Sequence, residues 1–172
     1  MSRAFIKEDA PEPDDDPPER PLSPLPNYVT PRGARLLQAE EEKLIAALAG
    51  FSGAQDDPAR RRRKRELERD LRYTRARLEA AILVDPAEQP KSEARFGAGV
   101  ILRAADGRPF KLRLVGEDEA EGRFENWSLI PWPAPLAKAL MGLKMGDSFE
   151  WDLGGGMQRW TIETIVYDAQ PI

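Results

Sequence analysis

The chain predicts an α+β protein: an antiparallel helical hairpin, a short coiled coil, followed by an antiparallel sheet domain with one helix. Three observations predict it. Thr30-Pro31 and Asp57-Pro58 each open a run with leucines at helical spacing. From residue 96 the pattern changes to short apolar runs separated by turn residues, with Asp106-Gly107 and Gly154-Gly155-Gly156 as hairpin turns. One short helical run, near residues 134–142, lies among those strands and has to cover one face of the sheet.

Residues 1–29 form the first segment. They hold seven prolines and the run Asp14-Asp15-Asp16, with no helical or strand period. This reads as a disordered acidic tail, and removal of residues 1–28 is expected to leave the melting temperature unchanged. It is either a solvating leader or an anchor that uses Phe5 and Ile6 to fold onto a partner.

Residues 30–85 form the hairpin. Leu37, Leu44 and Leu48 mark the first helix, and Gly50 and Gly53 end it. The second helix runs from Pro58 to about Val84, where Asp85-Pro86 stops it. Its seam is Leu67, Leu71, Thr74, Leu78 and Ala81, in coiled-coil steps of four and three. Carried backward, the seam meets Lys64 and Arg60, so the first two turns have no apolar stripe. Residues 86–95 are a polar linker.

Residues 96–172 form the second domain. Strands are expected near 99–105, 109–115, 124–130, 148–153 and 157–167. The last strand alternates cleanly only with a bulge near Thr164.

Composition limits the chemistry. The chain has 172 residues, 33% of them charged, and neither histidine nor cysteine. That excludes disulfides, thiolate metal sites, a histidine general base and a histidine-based triad. No run approaches membrane-spanning length, and the first residues lack the apolar core of a signal peptide. A cytoplasmic protein with no membrane association is expected. The net charge of −4 is unevenly spread. Residues 1–29 carry three basic and seven acidic groups, whereas residues 58–82 carry ten basic and four acidic groups.

Two motifs in the second domain carry a resemblance. Leu114-Val115-Gly116-Glu117-Asp118-Glu119 is an apolar strand end stopping in an acidic turn. Pro135-Leu136-Ala137-Lys138-Ala139-Leu140-Met141-Gly142-Leu143-Lys144-Met145-Gly146-Asp147 is a short helix ending in glycine. Together they resemble the C-terminal domain of bacterial transcript-cleavage factors of the GreA/GreB family, whose lines read I-V-G-x-D-E and S-P-[LM]-A-[RK]-A-L-L-x-K-x-x-G-D. The likeness covers about residues 96–167. More weakly, Arg65-Glu66-Leu67-Glu68-Arg69-Asp70-Leu71-Arg72-Tyr73 resembles the family's second helix. The resemblance implies an FKBP-like second domain that docks on RNA polymerase. It also implies a hairpin that enters the polymerase secondary channel, with RNA polymerase as partner and nucleic acid near it. A monomer is expected.

In that family the hairpin tip carries an acidic pair, in a motif close to G-D-x-S-E-N-A-x-Y. The pair helps hold a second Mg²⁺ at the polymerase's own active site. Hard carboxylate oxygens suit that ion. Counting back without gaps from Arg65 puts Gly50 and Gly53 where the two acids should stand. Asp56 and Asp57 are displaced candidates for that role, and Asp57 equally fits a helix N-cap. No cofactor is expected unless these acids share the polymerase Mg²⁺.

Two further groups are candidate contacts. Arg60, Arg61, Arg62, Arg63, Lys64 and Arg65 are either a solvated face, a nucleic-acid surface, or a basic tip facing the channel's carboxylates. Trp132, Pro133, Ala134, Pro135 and Leu136 replace the family's I-S-I-D-S-P docking segment with a stiff, apolar loop. Trp132 is there either a core residue or an exposed anchor. The expected function is binding at the polymerase secondary channel and modulating transcription, with little cleavage stimulation, and not as an enzyme. The alternatives are an active cleavage factor using Asp56 and Asp57, and a nucleic-acid-binding module using the basic helix.

Overall fold

Residues 16–51, 57–122 and 124–167 are described in the computed structural model of the protein. Thr30 caps the first helix, α1 (Pro31–Ala49), its hydroxyl accepting from the Gly33 N–H at 2.9 Å. Asp57 caps the second, α2 (Pro58–Glu79), in the same way. At 1.5 Å per residue the two helices are roughly 28 and 33 Å long. They pair through Leu37 and Leu44 on one side and Leu67 and Thr74 on the other, all buried.

Helix α2 ends earlier than its sequence predicts. Ala80 closes it, and Ala81–Leu83 form strand β2 instead of a last helical turn. Its partner is β1 (Asn27–Val29), parallel to it, with Asn27 opposite Ala81 and Val29 opposite Leu83. Non-local pairing outweighs local helix propensity here. The same strand corrects the reading of residues 1–29 as a disordered tail, because Asn27 and Val29 are both 3% exposed. Residues 1–15, with Phe5 and Ile6, lie outside the described residues.

The second domain is a five-stranded sheet in the order β5-β4-β3-β7-β6. Its strands are β3 (Gly99–Ala104), β4 (Pro109–Val115), β5 (Ser128–Pro131), β6 (Ser148–Asp152) and β7 (Met157–Val166). The β3–β4, β3–β7 and β6–β7 pairs are antiparallel, as predicted. The β4–β5 pair is parallel, so the sheet is mixed and not wholly antiparallel. The cause lies in the connection: β4 runs into the one-turn helix α3 (Glu117–Ala120), and the chain crosses over before re-entering at the edge.

The bulge predicted near Thr164 is present. Ile101 pairs with Thr164 and Leu102 with Ile162, leaving Glu163 as the extra residue. Helix α4 (Pro135–Leu140) covers one face, burying Leu136, Ala137 and Leu140 against Val100, Leu102, Leu112, Leu114 and Ile162.

Candidate functional site

Two ends of the molecule carry the candidate residues, and a polar junction holds them in fixed relation. At the hairpin tip, α1 stops at Gly50, whose N–H donates to Ala47 O at 3.2 Å, and the Phe51 N–H donates to Leu48 O at 3.0 Å. Residues 52–56 lie outside the described residues, so Asp56 is not placed. The Asp57 carboxylate accepts from the Ala59 N–H at 3.2 Å. It therefore satisfies one of the orphan donors at the start of α2. Arg60 closes the tip. Its guanidinium donates to Gly50 O at 3.0 Å and lies 5.0 Å from the Phe51 ring centre. The rest of the basic run is laced by ion pairs. Arg62 and Arg63 reach Glu66 at 3.5 and 3.1 Å, and Lys64 reaches Glu68 at 3.6 Å. Arg61 and the Arg62, Arg63 and Lys64 side chains remain solvent-exposed. Among the described residues no group of three or more His, Cys, Asp or Glu side chains could hold a metal ion.

At the other end, the Ile130–Leu136 loop leaves β5. Trp132 N–H donates to Val115 O and Ala134 N–H to Pro131 O, both at 2.9 Å, which fixes the loop's backbone. The Trp132 ring stands edge-on to Tyr28 at 5.3 Å, and Tyr28 lies 6.0 Å from Phe96. Trp132 is thus half-buried, neither a core side chain nor a free anchor. Its Nε1 is buried with no hydrogen bond among the described residues. Pro133 and Ala134 are half-buried and Pro135 is exposed. Leu136 is corrected: it lies in the hydrophobic core, where a partner's side chains do not reach.

The junction is what the sequence reading missed. The acidic turn Glu117-Asp118-Glu119 locks the hairpin to the sheet domain. Glu119, 2% exposed, accepts from the Thr30 hydroxyl at 2.6 Å and from Arg32 Nη1 at 3.1 Å. Arg77, 3% exposed, donates to Asp118 at 2.8 Å and to Asn27 Oδ1 at 2.6 Å. Asn27 returns a bond to Arg77 O at 2.7 Å, and the Tyr73 hydroxyl donates to Asp118 at 2.9 Å. Burial alone would lower the Arg77 pKa, but the hydrogen bond and charge of Asp118 outweigh it and raise it further. Burial, and then the bond to Asp118, push the Tyr73 hydroxyl above its ordinary value. Two close approaches explain glycines here. A Cβ on Gly116 would stand 2.7 Å from Tyr28 O, and one on Gly33 would stand 2.9 Å from Glu119 Oε2. The available signal was Arg77 beside the Leu67, Leu71, Thr74 and Leu78 seam, matched by an acidic run at a strand end.

Comparison with known proteins bears on both ends. The family described as "Transcription elongation factor, GreA/GreB, C-term" matches residues 89–167. A protein of Neisseria meningitidis serogroup A named transcription elongation factor GreB is 30% identical over 82% of this chain and 94% of its own length. Its namesake in Xanthomonas axonopodis pv. citri is 32% identical over 81% of this chain and 90% of its own length. A solved GreA/GreB factor from Nitrosomonas europaea is 26% identical and covers 83% of this chain and 99% of its own. The TM-score with that structure is 0.39. Among the described residues no helix is long and apolar enough to cross a membrane.

Proposed function

Since the chain belongs to the GreA/GreB family of transcription elongation factors, we propose that it binds RNA polymerase at the secondary channel and modulates transcription without stimulating transcript cleavage. The sheet domain docks through the loop around Trp132. The hairpin enters the channel as a basic tip. The protein acts on the polymerase as a monomeric cytoplasmic accessory factor and performs no chemistry of its own.

The observation that carries this reading is the tip. Its one described carboxylate, Asp57, is engaged as a helix cap, and Arg60 draws the start of α2 onto Gly50 and Phe51. A second Mg²⁺ needs converging hard oxygens. The described tip offers guanidinium groups in their place, and cations there compete with a metal ion for the polymerase's acidic groups. The donor set of the described tip residues does not fit the ion.

The test has two parts. Core RNA polymerase should retain the protein in a pull-down, and the protein should compete with an authentic GreB for the same complex. Backtracked complexes should show no faster transcript cleavage when it is added. Robust cleavage that disappears in the Asp56→Asn, Asp57→Asn double variant would replace this reading with that of an active cleavage factor.

A further inference from the structure

Ahead of β1 the chain runs back along α2 toward the hairpin tip. Asp16 lies 3.3 Å from Arg65 Nε, Glu19 pairs with Arg72, and the Arg20 guanidinium stacks 3.7 Å over the Tyr73 ring. The register has a physical basis. Arg65 and Arg72 are one heptad apart on α2, about 10.5 Å along the axis. From Asp16 to Glu19, through Pro17 and Pro18, an extended polyproline path covers roughly 9 Å. The two prolines hold the segment extended before it docks, so little freedom is lost on docking. The other end is fixed, because Asn27 is bonded to Arg77 through both side-chain atoms. The carboxylates therefore face the helix at the high effective concentration of a short tether.

We infer that residues 16–20 are an intramolecular clasp that occupies the basic face of α2 and competes there with nucleic-acid phosphates. The face is rich in guanidinium groups, which pair with carboxylates and phosphates alike. Exposed ion pairs are individually weak and screened by salt. The clasp therefore raises the threshold for a polyanion without closing the site. A bound nucleic acid displaces it, exposing Arg65 and Arg72 together. None of this depends on polymerase, so it stands or falls apart from the proposed function.

The chain has no cysteine, so an Asp15→Cys variant, which keeps both prolines and residues 16–20, takes a single spin label. In low salt the label should broaden the amide signals of Arg65 to Arg72, and added single-stranded RNA should restore them. The Asp16→Asn, Glu19→Gln double variant should bind a fluorescent 20-nucleotide single-stranded RNA about tenfold more tightly than the parent at low salt. A matched loss of two charges in the sheet domain, Asp106→Asn with Glu150→Gln, should leave that affinity unchanged. The inference is overturned if α2 is not broadened, if neither protein binds the RNA, or if the clasp variant and its matched control behave alike.

Discussion

Arg77 and Arg63 carry the same charge on the same helix, and burial separates their effects. The Arg77 side chain is 4% exposed and faces Asp118, Asn27 and Glu117. Arg63 is 61% exposed and pairs with Glu66 at 3.1 Å. Removing one member of a buried pair strands the others, at a cost of about 3–5 kcal/mol. Removing an exposed partner costs about 0–1 kcal/mol. Arg77→Ala is therefore expected to lower the urea midpoint strongly, while Arg63→Ala leaves it nearly unchanged. Equal midpoints would mean that Asp118 and Glu117 are rehydrated without the arginine. Two tyrosines add a pH dependence. Burial raises the Tyr167 hydroxyl, which donates to Glu93 O at 2.6 Å and accepts from the Arg95 N–H at 2.7 Å. Tyr73 is raised too. A raised tyrosine contributes stability that is complete below its unfolded pKa, ~10, and is lost as pH rises through the folded value. Thermal melts should thus fall above about pH 10. The Tyr73→Phe, Tyr167→Phe double variant should start lower and flatten that fall. At Trp132, Trp132→Phe keeps an aromatic ring against Tyr28 while removing the indole N–H and the area of the second ring. Nε1 is buried without a partner among the described residues, so its loss breaks no hydrogen bond there; the melting temperature should fall by no more than a few degrees, and a weaker grip on polymerase in the folded variant would mark the exposed part of the Trp132 ring as a docking contact.

The elements differ in how far their own residues announce them. Both long helices were legible because Thr30-Pro31 and Asp57-Pro58 are local cap signals that act within one turn. Strands β3, β4, β6 and β7 were legible because alternation and the turns at Gly107 and Gly154 to Gly156 are local as well. Strands β1 and β2 were not. Ala80-Ala81-Ile82-Leu83 continues a helical pattern, and Asn27-Tyr28-Val29 closes a proline-rich stretch. Each becomes a strand only because the other is beside it. The direction of β5 was hidden for a similar reason, since alternation is the same in either direction. At the site, the cap role of Asp57 was legible, whereas the lock around Glu119 and Arg77 joins residues from three separate segments. The N-terminal segment gives a test at this scale. A chain starting at Pro21 should melt within about 3 °C of the parent, because it loses only exposed ion pairs and the Arg20 contact with the Tyr73 ring, all weak terms. A chain starting at Thr30 also loses buried Val29 and Asn27, with about 2–4 kcal/mol at stake and 2–4 °C for each. A drop of at least about 5 °C is expected for it. No drop would mean that β1 is dispensable and that β2 holds its place without it.

For the whole molecule, the proposed docking at one end would set the hairpin at the other. The loop around Trp132 and the tip around Arg60 belong to different layers. They are joined by the Glu119 and Arg77 network and by Tyr28, which sits between Gly116 and Trp132. Coupling of this kind runs through packed, hydrogen-bonded groups and not only through the chain that links β2 to β3, residues 84–98. If the sheet domain anchors the protein, the lock aims the hairpin. Glu119→Ala removes the acceptor of the Thr30 hydroxyl and Arg32 while leaving the Trp132 loop and the tip untouched. The variant should still bind core polymerase, with a Kd within about threefold of the parent, or roughly 0.7 kcal/mol. Its ability to displace an authentic GreB from the channel should fall by about tenfold, because a hairpin free to swing loses the advantage of being pre-aimed. Circular dichroism checks that the variant is folded at the assay temperature. Equal losses in docking and displacement would place the binding energy in the hairpin, and no loss in either would make the lock a stability feature alone.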